Sequence, residues 1–179
     1  MGNEKQAFLA LRPSGEQRQR VYADARASER RFRFVDFNQE QEIVLPMREL
    51  KNVADPHFSF SSHLPAEATA DQYLALLRET IAEIRAQDLG KIVLSRVKLL
   101  DKQVEPMRLF PLLEEAYPEA TVYLFSHPDA GTWLGATPET LLEKTGGTLK
   151  TMSLAGTIKS TGAESFSAKE EREQQMETD

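Results

Sequence analysis

Residues Thr121-Val122-Tyr123-Leu124-Phe125-Ser126 are followed by His127-Pro128-Asp129-Ala130-Gly131 and then by Thr132-Trp133-Leu134-Gly135-Ala136. The first run is rich in β-branched and aromatic side chains, the second is a cluster of turn formers, and the third resumes with Thr and Trp. These residue types predict a strand, a turn and a returning strand. So short a connection joins antiparallel neighbours, because parallel strands need a crossover of about a dozen residues or more.

Working outward, Leu141–Lys144 and Thr148–Ser153 flank Gly146-Gly147, a hairpin signal. On the other side, Leu109, Leu112, Leu113 and Ala116 mark a short helix ended near Pro118. Lys91-Ile92-Val93-Leu94-Ser95-Arg96-Val97-Lys98-Leu99-Leu100 is too branched and too short to prefer helix, so a strand is predicted. Before it, Thr69-Ala70-Asp71-Gln72 has the capping-box pattern, and Leu74, Leu77, Ile81 and Ile84 recur at helical spacing, with Tyr73 and Leu76 widening the stripe. That helix is expected to run to about Asp88, with Gly90 as its stop.

The first sixty residues read as short strands with polar breaks. Phe8–Leu11 is an apolar run closed by Arg12-Pro13-Ser14-Gly15. Glu16–Arg31 is polar and arginine-rich and reads as a loop with some helix. Phe32–Phe37 and Glu42–Pro46 suggest a hairpin, and residues 51–66 look irregular, with prolines at 56 and 65. Residues 168–179 resemble the opening turns of a helix and carry no Gly, Asn or Pro stop signal. The expected fold is α+β: a largely antiparallel sheet meander with packed helices. Residues 1–66 are expected to form a β-rich segment and residues 67–179 the first part of a second domain, cut within the helix at 168–179.

Composition narrows the function classes. The 179 residues include 28 acidic and 22 basic ones, no cysteine and a net charge of −6. Disulfide frameworks and cysteine metal sites are excluded. The acidic balance argues against a nucleic-acid partner. Apolar residues make up 40% and charged ones 28%, with mean hydropathy −0.46, an ordinary globular balance. Met1–Gln6 lacks an apolar leader and fails the myristoylation pattern, and no apolar run reaches membrane-spanning length. A cytoplasmic protein with no membrane partner is expected.

Several residues could carry chemistry. Lys91 leads an apolar strand face; partial desolvation there would lower its pKa and suit it as a base, though a lysine snorkelling at a strand end looks the same. Glu139, in Gly135-Ala136-Thr137-Pro138-Glu139, is expected in the first turn of a short helix capped by Thr137, where an acidic residue is favoured whether or not it reacts. Leu154-Ala155-Gly156-Thr157 closes a strand; Gly156 permits close backbone approach and Thr157 offers a hydroxyl and an amide to an anion, or the segment is a plain turn. Glu170, Glu173 and Glu177 share a helical face that suits a hard cation such as Mg²⁺ or simply faces solvent. His57, His63 and His127 show no metal-ligand spacing, and neither a phosphate-binding glycine loop nor a Gly-x-Ser-x-Gly elbow occurs.

Four motifs occur in one order: Lys91-Ile-Val-Leu-Ser-Arg96, Leu134-Gly-Ala-Thr-Pro-Glu139, Met152-Ser-Leu-Ala-Gly-Thr157 and Lys169-Glu-Glu-Arg-Glu173. In that order, with separations of 48 from residue 91 to 139 and 17 from 139 to 156, the chain resembles the chorismate-utilising enzymes, and within them the isochorismate synthases. The resemblance covers residues 70–175 and implies the anthranilate synthase component I-like fold. It implies that Lys91 is the base that activates water for attack at C2 of chorismate and that Glu139 is the acid that protonates the departing C4 hydroxyl. Gly156 and Thr157 would contact substrate, and Glu173 would hold Mg²⁺. Ammonia-adding relatives carry Gln at the position of Lys91, and aminodeoxychorismate synthases carry Lys at that of Ala155, so this pair points to water addition. Salicylate synthases share both features and remain the alternative, as does a non-enzymatic domain that binds a small anion or a partner. The product would feed menaquinone or a siderophore. Gln174 stands where the family commonly has histidine.

Overall fold

In the computed structural model, which describes residues 7–17, 19–24, 29–36, 38–51, 56–61, 64–87, 89–102, 104–156, 158 and 165–178, the chain begins with four strands. They are β1 (Phe8–Arg12), β2 (Arg20–Asp24), β3 (Arg31–Val35) and β4 (Glu42–Leu50). Then come α1 (Ala70–Gln87), α2 (Pro106–Ala116), β5 (Thr121–His127), β6 (Gly131–Thr137), β7 (Glu143–Thr145), β8 (Thr148–Lys150) and α3 (Ala168–Thr178). Every strand pairing is antiparallel. The main sheet has the order β3-β4-β2-β1-β5-β6, and β7-β8 is a separate hairpin. The α+β class and the antiparallel sheet therefore hold. The neighbour order is not sequential, however: β4 inserts beside β2, and β1 pairs with β5. The sheet takes strands from both sides of residue 66.

β5 shows why its sequence is a continuous apolar run. Val122 and Leu124 point to one face, where they pack with Phe8, Ala10 and Phe110 of α2. Phe125 points to the other, with Leu9, Tyr22, Leu45 and Met47. A strand covered on both faces has no polar alternate positions to spare. α2 covers the first face by packing on β5 and β6. The second face is closed by the sheet itself: the rings of Phe32 and Phe34 each lie 4.9 Å from that of Phe125. Across the hairpin Tyr123 pairs with Gly135, and a Cβ at Gly135 would come within 2.8 Å of the Tyr123 hydroxyl. The glycine makes room for the ring.

The polar stretch after residue 16 departs from expectation. Residues 20–24 form β2, not helix, because Tyr22 is buried in the second core cluster and both edges of β2 find partners, β1 and β4. Tertiary pairing overrides a composition that looks loop-like. The capping box of α1 is realised in full: the Gln72 amide donates to Thr69 Oγ1 at 3.2 Å, and Thr69 N–H donates to Gln72 Oε1 at 2.9 Å. Yet α1 buries none of its residues. Its expected packing is limited to contacts such as the Arg96 guanidinium over the Tyr73 ring at 5.9 Å.

One predicted strand is absent among the described residues and another is shortened. Residues 91–100 join no described strand, and Val93 and Leu100 are 80% and 67% exposed. The strand predicted over Thr148–Ser153 forms only as β8, Thr148–Lys150, and residues 151–156 are not strand. A β-rich composition makes a strand only when a neighbour takes up its N–H and C=O groups.

Candidate functional site

Of the residues singled out in the sequence, Lys91, Gly156, Glu170 and Glu177 meet where α3 touches two segments outside the strands, residues 90–91 and 153–156. α3 has almost no apolar stripe, so polar side chains hold it in place. Ser167 starts it: its N–H donates to Glu170 Oε2 at 2.6 Å, one arm of a capping box. Glu170, Gln174 and Glu177, at spacings of four and three, then lie along one face. Glu170 meets Gly156: a Cβ at Gly156 would lie 2.9 Å from Glu170 Cβ, and Gly156 has φ +58°. Both the close approach and the left-handed backbone call for glycine there. Gln174 reaches the same segment, accepting from Ala155 N–H at 3.3 Å and donating to Ser153 Oγ at 3.0 Å. Glu177 accepts from Lys91 Nζ at 2.8 Å, and a Cβ at Gly90 would meet Met176 Sδ at 3.2 Å.

Lys91 is the electrostatic centre of this arrangement. Its side chain is 36% exposed, at the end of the short link after α1. Its pKa is raised above the ordinary lysine value, chiefly by the hydrogen bond to Glu177; desolvation opposes this, and the negative charges of Glu177, Glu173 and Glu139 add smaller upward pulls. The expected depression of its pKa is therefore corrected. Lys91 lies among carboxylates rather than in an apolar wall, and opposite charge favours its ammonium form. The same fact brings Glu139, 48 residues away in sequence, within electrostatic range of Lys91.

Glu139 is exposed on the link between β6 and β7. The predicted helical turn there does not form; Thr137 Oγ1 donates instead to the Glu139 carbonyl at 3.2 Å, so its hydroxyl does not cap a helix. The chain passes from β6 to β7 through residues 138–142 without a helical turn. Glu173 is mostly buried and pairs with Lys169 at 3.3 Å. Thr157 and His63 lie outside the described residues. His127 accepts from Asp129 N–H and stacks on Phe125, an architectural role.

The acidic face of α3 tests the expected Mg²⁺. Carboxylates are the right donors for a hard cation. Among the described residues, however, no three His, Asp or Glu side chains come together to hold one. Glu173 and Glu177 each face a lysine instead. These residues alone do not fit a metal site, and no chemical step is derived through one. The sequence gives the acidic face and the Lys169–Glu173 pair four residues apart, which forms, but not the partners from distant segments. Gln174 and the Glu177–Lys91 contact were legible only as positions on a helix, and nothing in a single sequence says what a helix face touches.

No described helix is long and apolar enough to cross a membrane. A sequence profile described as chorismate binding enzyme matches residues 6–178. Isochorismate synthase MenF of Bacillus subtilis (strain 168) is 30% identical over 150 residues, which cover 81% of this chain and 27% of that protein. Anthranilate synthase component 1 of Haloferax volcanii is 34% identical over 87 residues, 49% of this chain and 16% of that protein. The chain thus spans roughly a quarter or less of the length of these relatives. No solved structure gives a significant match. With a match that runs over almost all of its residues, the chain belongs to the chorismate-binding enzyme family.

Proposed function

We propose that these residues are part of an enzyme that converts chorismate to isochorismate. Water adds at C2 and gives up a proton to Lys91; the C4 hydroxyl leaves as water with a proton from Glu139. Atoms balance as an isomerisation. Water is a poor nucleophile and hydroxide a poor leaving group, so a base on one side and an acid on the other address both barriers. Gly156 and Thr157 are proposed to contact substrate, and Glu173 to be one carboxylate ligand of a Mg²⁺ whose remaining ligands come from outside the described residues. The proposed setting is cytoplasmic.

Support comes from the negative charges of Glu173 and Glu139 acting on Lys91, which bring residues of three separate motifs within electrostatic range of one another. The likeness to an isochorismate synthase over 81% of the chain supports it. Lys91 holds its proton in the described arrangement, so action as a base requires the 2.8 Å contact with Glu177 to open. A raised pKa means that turnover climbs with pH through the neutral and alkaline range as the free amine fraction grows.

The test is chromatography of products from chorismate and Mg²⁺, using the longest polypeptide that carries these residues. Isochorismate is expected. Lys91→Ala should remove most turnover while leaving the circular dichroism spectrum unchanged. Salicylate with pyruvate would replace the isomerase reading by the salicylate synthase one. Anthranilate formed with ammonia would overturn both, and binding of chorismate without any product would favour a non-enzymatic domain.

A further inference from the structure

We infer that Gln174 is a positioning residue that fixes the backbone from Ser153 to Gly156 for contact with substrate. The inference rests on the proposed function for the role of Gly156 and goes beyond it in naming what holds that segment.

The segment lacks strand neighbours among the described residues, so its backbone groups need other partners. Gln174 supplies them with both ends of one amide. Its Oε1 accepts from Ala155 N–H at 3.3 Å, while its Nε2 donates to Ser153 Oγ at 3.0 Å and lies 3.4 Å from the Ser153 carbonyl. A carboxamide is the side chain that presents a donor and an acceptor side by side at this reach. A glutamate keeps only the acceptor, and a leucine keeps neither. One turn earlier on α3, Glu170 lies against Gly156, so the segment is clamped by bonding at Ser153 and Ala155 and by packing at Gly156. Ala155, Phe166, Glu170 and Gln174 also line a cleft of about 240 Å³, so the clamped backbone borders open space. Gln174 acts on substrate through this backbone and not by touching reacting atoms.

The experiment compares the protein with its Gln174→Leu and Gln174→Glu variants. Hydrogen exchange of the peptide spanning residues 149–156 is measured without ligand, and KM and kcat are measured with chorismate. Gln174→Leu is expected to speed exchange of the Ala155 amide about tenfold or more, the scale of one or two neutral hydrogen bonds. It should raise KM about tenfold and leave kcat within about threefold, because an ordered segment favours binding rather than the chemical step. Gln174→Glu keeps the acceptor, so it should retain most of the Ala155 protection and fall between the two in KM. Unchanged exchange in Gln174→Leu, with the helical dichroism intact, overturns the clamp. Faster exchange with KM unchanged overturns its role toward substrate. A parent protein without chorismate turnover refutes the proposed function and the substrate half of this inference, while the exchange result still decides the clamp.

Discussion

Arg12 closes β1 and is only 6% exposed. It reaches the C-terminal end of α2, donating to the carbonyls of Pro118 at 2.6 Å and Tyr117 at 2.7 Å, with a weaker contact to Glu16 O at 3.3 Å. Those are carbonyls at and just beyond a helix end, where no helical partner exists and where a cation is favoured. Its Nε lies 3.6 Å from Glu114 Oε1, and that pair of atoms makes no hydrogen bond although both are buried. Burial pushes the Glu114 carboxyl above its ordinary value, against the pull of Arg12. Arg12→Ala removes the donors and leaves Glu114 without its counter-charge. Truncating one partner of a buried pair costs about 3–5 kcal/mol. Glu114 is partly wet, so we expect the lower end, about 3 kcal/mol near neutral pH.

The pH dependence separates the two contributions. A carboxyl whose folded pKa is raised favours folding below its unfolded value, and that contribution is lost as pH rises through the folded value. Arg12→Ala raises the folded value further. At about pH 4 Glu114 can take a proton, and only the lost hydrogen bonds remain, roughly 1.5 kcal/mol. Urea unfolding followed by fluorescence of Trp133, the single tryptophan and a β6 residue, measures both. A loss below about 1 kcal/mol near neutral pH, or a larger loss at pH 4 than at neutrality, would refute the reasoning.

Three further outcomes are expected. Phe125→Ala removes the ring that Phe32 and Phe34 pack against and should destabilise the sheet by about 3–5 kcal/mol in the same unfolding assay. Gly156→Ala forces a Cβ to 2.9 Å from Glu170 Cβ at a positive φ; α3 should lift away, seen as faster hydrogen exchange across residues 168–178 with the β5–β6 hairpin unaffected. The Glu170 carboxyl is held below its ordinary value by the hydrogen bond from Ser167, so its contribution to α3 is present above the ordinary carboxylate range and is lost as pH falls through the lowered value. An acid titration followed by exchange of α3 should show that loss, and Glu170→Gln should lessen it, with the pairs of Glu173 and Glu177 leaving a remainder.

Legibility in the sequence followed how local the cause was. The capping box at Thr69 and Gln72, the β5–β6 hairpin and the Gly146-Gly147 turn depend on neighbours a few residues away, and each formed as read. β2 was missed because its burial comes from β1 and β4, which a polar local sequence does not announce. The strand read at 91–100, and the continuation of β8 past Lys150, failed for the converse reason: propensity was present, but pairing partners were not among the described residues.

The residues alone determined the antiparallel α+β class, because alternation and turn chemistry are written into successive side chains. They also determined the family, through four motifs in order. What only the tertiary structure decided is the charge state that Lys91 favours and what the polar face of α3 touches. Glu177 and Gln174 act on groups 86 and 19 residues away, and electrostatic and hydrogen-bonding partners at such separations are set by folding in space rather than by spacing along the chain.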